Sequence, residues 1–89
     1  MIDLETYASK TGISVSEIES KSRKKETVTA RHVYWFYLKS KGFGYNEIAR
    51  MFNRNHATVF HGINKIRDFI ELKDCYVERY LRAIEDAPF

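Results

Sequence analysis

Arg54-Asn55-His56-Ala57-Thr58-Val59-Phe60-His61-Gly62-Ile63-Asn64-Lys65 carries two patterns at once. Val59, Ile63, Ile66 and Ile70 fall at helical spacing and predict one buried stripe. Arg54, Asn55, His56 and Thr58 crowd the first turn, and Asn55 suits an N-cap because its side-chain oxygen can accept from an otherwise unpaired N–H. Just upstream, Tyr45-Asn46-Glu47-Ile48-Ala49-Arg50-Met51-Phe52 predicts a short helix with Ile48 and Phe52 inward. A turn of about three residues, Asn53 to Asn55, joins the two helices, the connection length of a helix-turn-helix. Asn53 tolerates the positive φ that such a turn usually needs. The second helix then presents its polar N-terminal end outward, as recognition helices do when they enter a major groove. We expect it to run to about Leu72, so that the motif covers about 45–73.

Thr27 to about Lys41 predicts the longest central helix. Val28, Trp35 and Leu38 form its stripe, widened by Val33, Phe36 and Tyr37, so other helices should wrap it. The large residues from Tyr34 to Leu38 read as core rather than as a base-stacking platform, since such platforms sit on sheets or grooves and no strand pattern is visible. Arg31, His32 and Lys39 fall on the less apolar face, within reach of phosphates, and Gly42 and Gly44 end the helix. Before it, Ser20-Lys21-Ser22-Arg23-Lys24-Lys25-Glu26 has no apolar residue and predicts a loop or a frayed helix start. A solvated linker explains that run. So does a basic loop that lies along phosphates or puts an arginine into a narrow A·T-rich minor groove, where negative potential concentrates.

At the N-terminus, Asp3 should cap a short helix to about Thr11, with Leu4, Tyr7 and Ala8 inward and Gly12 as its stop. Ser14 and Glu17 have the spacing of a capping box for a brief helix through Ile18. Asp74 should cap a last helix from Cys75 to about Glu85, with Val77, Tyr80, Leu81 and Ile84 inward, before Pro88 and Phe89 close the chain. The expected fold is all-α, a compact bundle of five or six short helices in one domain, 1–89, around the helix-turn-helix.

The 89 residues suffice for one modest core, and six Phe, six Tyr and one Trp can build it. No apolar run approaches the roughly 20 residues that span a bilayer, so no membrane partner is expected. Cys75 stands alone, which excludes an internal disulfide and a cysteine zinc site and suggests a buried or half-buried intracellular thiol. The net charge of +3 is unevenly spread. Residues 20–67 carry eleven Lys or Arg against Glu26 and Glu47, while both flanks are net acidic. Positive charge concentrated on a helix-turn-helix is the footprint expected for a phosphate backbone, although a solvated basic face would look the same.

The blocks Ser20-Lys21-Ser22-Arg23-Lys24-Lys25, Ala30-Arg31-His32, Glu47-Ile48-Ala49 with Phe52, Arg54-Asn55-His56-Ala57-Thr58-Val59 with His61, and Lys65-Ile66 resemble the C-terminal DNA-binding domain of the bacterial replication initiator DnaA. Likeness extends from about Ser14 to Ile66. The resemblance implies binding to short asymmetric boxes in double-stranded DNA, in replication initiation or its regulation. Carried over, Asn55, His56, Ala57 and Thr58 occupy the positions that read major-groove base edges, and Arg23 the position that enters the adjacent minor groove. Lys21, Lys24, Lys25, Arg31, His32, Lys39, Tyr45, Asn46, Arg54 and His61 fall where the DNA backbone is held. A protein of this kind would be a monomer in the bacterial cytoplasm, on the nucleoid, with other replication proteins as further partners and no cofactor.

This sequence departs from the family pattern in ways that matter. Asn55 stands where the family has Asp, so a pure acceptor becomes a mixed donor and acceptor, suited to adenine. Ala57 replaces a Thr, and the turn before it is one residue shorter than a Gly-Gly-Arg version. These changes put the usual box sequence in doubt, not the binding mode. Nothing resembles the GxxxxGK[ST] phosphate loop of a full initiator's ATPase. The chain is therefore expected to be an excised domain or a stand-alone relative, and its Met1 favours the second.

Two other classes compete. Acidic flanks and exposed aromatics fit a helical module that docks on a replication factor, and a helix-turn-helix also fits a transcription regulator. An enzyme is not expected. His56 and His61 are five apart rather than at the i, i+4 spacing of a helical metal pair, and no catalytic pairing is visible. His56 as a mere capping or packing residue is the plain alternative for that position.

Overall fold

The computed structural model describes residues 2–84. Six helices follow in order: α1 (Leu4–Thr11), α2 (Val15–Glu19), α3 (Lys25–Ser40), α4 (Tyr45–Met51), α5 (His56–Glu71) and α6 (Glu78–Ala83), with no strand among the described residues. The all-α bundle expected from the sequence is the fold observed.

α3 is the axis, because it packs against all five other helices. Its aromatic run is core: Trp35 and Leu38 are fully buried, as are Tyr34 and Tyr37 nearly so. Burying phenols in this way requires partners for their hydroxyls. Tyr34 donates to the Ile2 carbonyl at 3.0 Å, and the Ile2 N–H donates to the Tyr37 oxygen at 2.6 Å. The Tyr7 hydroxyl donates to the Ala30 carbonyl at 2.7 Å, tying α1 to the middle of α3. Phe52 closes the other side, its ring edge-on to Trp35 with centroids 5.8 Å apart.

Local signals act where the sequence places them. Asp3 caps α1 by accepting from the Thr6 N–H at 2.8 Å, and Gly12 ends that helix at φ 77°. Ser14 caps α2 through the Glu17 N–H at 3.1 Å. The Glu17 carboxylate, expected to return the bond, instead accepts from the Thr27 hydroxyl on α3 at 3.3 Å. Along α5, Val59, Ile63 and Ile66 are buried, each worth about 1.5–3 kcal/mol of apolar transfer.

Four local expectations need correction. α3 begins at Lys25, not Thr27, so the basic loop ends earlier and Lys25 and Glu26 lie in the first helical turn. Ile70 is 37% exposed, and Phe69 takes the inward position beside it. The last helix begins at Glu78: Asp74 accepts from the Tyr76 N–H at 2.9 Å, closing a turn over Cys75–Val77 rather than a cap. Cys75 in that turn is exposed, neither buried nor half-buried. Val77 and Tyr80 are inward as expected, with Leu81 and Ile84 half-buried, whereas Glu85, Pro88 and Phe89 lie outside the described residues.

Candidate nucleic-acid interface

The turn between α4 and α5 is built from short-range chemistry. Asn53 adopts φ 53°, the left-handed conformation that asparagine tolerates better than most residues. The chain then reverses, and the Arg54 N–H donates to the Ala49 carbonyl at 2.8 Å. Asn55 caps α5 in extended conformation, its Oδ1 accepting from the Ala57 N–H at 2.7 Å. That bond commits the amide oxygen to the helix and leaves the Asn55 NH2 as the outward group. His56, Ala57 and Thr58 follow, all exposed. The first turn of α5 holds no acid, whereas the other helices carry Glu5, Glu17, Glu26, Glu47 or Glu78 there. The positive end of the α5 dipole therefore stays uncompensated and favours an anion.

Two arginines join this turn to the basic loop. Arg31 was expected on an outer face, but it is 5% exposed. Its Nε donates to the Ile18 carbonyl at 2.8 Å, and its Nη2 to the Ser20 and Ser22 carbonyls at 2.7 and 3.3 Å. Arg54, from the turn, donates Nη1 to the Phe52 carbonyl at 2.8 Å and Nη2 to the Ser20 carbonyl. Two guanidinium groups thus converge on one carbonyl oxygen. Burial, and then the charge of Arg54, pull the Arg31 pKa below its ordinary value. The planar fork of arginine suits this task, because several carbonyls can be held by one rigid group.

The clamp sets the loop beside the start of α5. Lys21, Ser22 and Arg23 from the loop, Arg31 and His32 from α3, and Asn53, Arg54, Asn55 and Thr58 from the motif line one open cleft of about 450 Å³. Lys21, Arg23 and Lys24 are exposed, and Lys25 is exposed at the start of α3. His32 is only half-buried, yet burial, followed by the nearby charges of Arg31 and Lys65, pushes its pKa down to about 4. It is neutral at pH 7 and offers the cleft a hydrogen-bonding ring rather than a charge.

Other predicted residues gather in a second cluster between α3, α4 and α5. The Lys39 ammonium lies 4.5 Å above the Tyr45 ring, whose centroid is 5.2 Å from that of Phe60, and Phe60 in turn meets His61 at 5.6 Å. Asn46 is exposed at the start of α4 beside them. Phe60 was not singled out in the sequence, and it is 42% exposed. The available signal was its position one residue beyond Val59, off the buried stripe and two residues from Thr58. Among the described residues, no three His, Cys, Asp or Glu side chains come together as a metal site.

A model of the bacterial dnaA protein helix-turn-helix matches residues 4–66, somewhat more of the chain than the motifs alone suggested. The chromosomal replication initiator protein DnaA of Pseudothermotoga lettingae is 43% identical over 58 residues, 64% of this chain and 13% of that protein. The DnaA of Oleidesulfovibrio alaskensis is 40% identical over 55 residues (61% and 12%), and that of Onion yellows phytoplasma 36% over 56 (62% and 11%). The chain thus spans about an eighth of the length of these curated relatives. No solved structure gives a significant match. With its helix-turn-helix inside the matched span, the chain belongs to the bacterial DnaA helix-turn-helix family.

Proposed function

We propose that this chain binds duplex DNA with sequence preference, reading a box related to those of DnaA, in replication initiation or its control. The observation that carries the reading is the shared cleft, in which a basic loop and the exposed N-terminus of α5 are clamped side by side. A loop arginine and a helix end held at a fixed separation can address a minor groove and its neighbouring major groove together.

In this reading α5 enters the major groove, with His56 and Thr58 at base edges, the Ala57 methyl against a thymine methyl, and the Asn55 NH2 donating to a base acceptor. Arg23 enters the minor groove. Lys21, Lys24, Lys25, Arg54 and the positive end of the α5 dipole hold phosphates in one group, and Lys39, Tyr45, Asn46 and His61 in another. His32 contributes a neutral hydrogen bond. Arg31 acts through the loop it holds, not by direct contact, because it is buried with its fork on carbonyls, whereas Arg54 is only half-buried. The reading is one of binding, with no catalytic role for any residue.

Selection of binding sites from a random duplex pool tests this. A single enriched box containing an A·T-rich segment is expected, with that A·T preference flattened by Arg23→Ala. Recovery of no consensus would contradict the proposal.

A further inference from the structure

A second cleft opens on the other side of Arg23. Its lining combines Arg23, Lys25 and Val28 with Lys65 and Phe69 of α5 and Tyr76 of the turn before α6, and its volume is about 260 Å³. Arg23 and Val28 border both clefts, so the loop arginine stands on the ridge between them. Arg23, Lys25 and Lys65 have no ion-pair partner among the described residues, and no carboxylate lines the hollow. The Lys25 ammonium sits 4.4 Å above the Tyr76 ring, and the Tyr76 hydroxyl is buried without a hydrogen-bond partner. Ammonium and guanidinium donors above an apolar floor of Val28 and Phe69 suit an acceptor-only anion joined to a small apolar body. A phosphodiester and its deoxyribose have that chemistry. The volume falls below the roughly 300–1,000 Å³ of drug-sized ligand sites.

We propose that this second cleft seats the sugar-phosphate backbone of the strand across the minor groove from the one held in the first cleft. The inference rests on the DNA-binding reading and adds the second strand to it. A B-form minor groove is only about 6 Å wide, so a side chain inside it has a phosphate chain on either hand. Two cationic clefts divided by one arginine reproduce that arrangement. Lys65, which the reading of the first cleft leaves unused, becomes a far-strand contact.

The test uses the whole chain and its selected duplex. Lys65→Gln removes an exposed charge, so the fold should persist, and circular dichroism checks this. The slope of log K against log salt should fall by about 0.9 for one lost phosphate contact, with the ratio of box to scrambled binding unchanged. Methylphosphonates placed singly along each strand then locate the contact. One neutralised phosphate on the far strand should weaken the wild-type chain and have no effect on Lys65→Gln. An unchanged slope, or a sensitive phosphate on the near strand only, would overturn the proposal while leaving duplex binding intact. So would Lys65-dependent binding of deoxyadenosine monophosphate by a chain whose duplex binding ignores Lys65. Failure of the wild-type chain to bind any duplex would instead strike the underlying DNA reading and this proposal with it.

Discussion

Gly62 of α5 lies directly against the ring of His32 on α3: a Cβ at position 62 would sit 2.8 Å from the His32 Cδ2 and 3.0 Å from its Cγ and Nε2. The imidazole also packs on Trp35, with ring centroids 5.2 Å apart. His32 therefore packs between Trp35 of the core and α5, and Gly62 makes room for it.

Gly62→Ala should destabilise the protein. Overpacking typically costs about 1–3 kcal/mol, offset by about 1 kcal/mol of helix propensity. In a His32→Ala background the clash disappears, and the same change should become neutral or stabilising. Urea unfolding of the four proteins in this double-mutant cycle measures the difference. Additive effects would mean that the two residues do not meet.

Burial makes His32 harder to protonate in the fold than in the unfolded chain, with a pKa near 4 against the ordinary 6.5. Between these values the unfolded state binds more protons, so stability rises with pH across the window and is lost as pH falls through it. The loss attributable to His32 should reach roughly 2 kcal/mol by pH 5. His32→Gln should remove that share of the acid sensitivity. Urea midpoints at pH 7 and pH 5 for both proteins give the answer, and equal pH dependence would contradict the burial.

Arg31 predicts a distinctive mutant. Arg31→Lys keeps the charge but loses the fork that spans the Ile18, Ser20 and Ser22 carbonyls. A cost of about 2–3 kcal/mol is expected, in the range for charge-assisted hydrogen bonds and unpaired buried carbonyls. DNA affinity should fall together with amide protection in residues 20–24, which hydrogen exchange reads. A variant that lost affinity with normal protection would make Arg31 a direct phosphate contact.

The helix-turn-helix was legible because its determinants are local. Asn53 marks the left-handed turn, Asn55 the cap, and Val59, Ile63 and Ile66 the buried stripe, all within a few turns of chain. The burial of Arg31 was not legible, since its carbonyl partners lie 9–13 residues away in a segment without periodicity. The early start of α3 was hidden for a related reason: Lys24 makes no side-chain cap, so charge alone marked that boundary. The His32–Gly62 contact and the Phe60–Tyr45 pair join separate helices, and no spacing within one helix reveals them. Asp74 looked like a helix cap because capping and a simple turn use the same side-chain oxygen.

Asn55→Asp separates capping from base reading. Aspartate caps as well as asparagine, so α5 and the stability of the fold should be preserved. The outward NH2 donor becomes an acceptor. At one position of the selected box, preference should move from a base presenting an acceptor to cytosine, whose N4 amino group donates. Binding to all single-base variants of the box reads this directly, and an unchanged preference would confine Asn55 to its capping bond.

Fluorescence-anisotropy titration of a labelled DnaA-type box and a scrambled duplex at two salt concentrations, with His56→Ala alongside, is the most direct test of sequence readout. Tighter binding of the wild-type chain to the box, persisting at the higher salt, is predicted. His56→Ala should lose about 1–3 kcal/mol on the box and little on scrambled DNA. Equal binding to both duplexes that vanishes with salt, or equal losses for His56→Ala on both, would contradict base reading by α5.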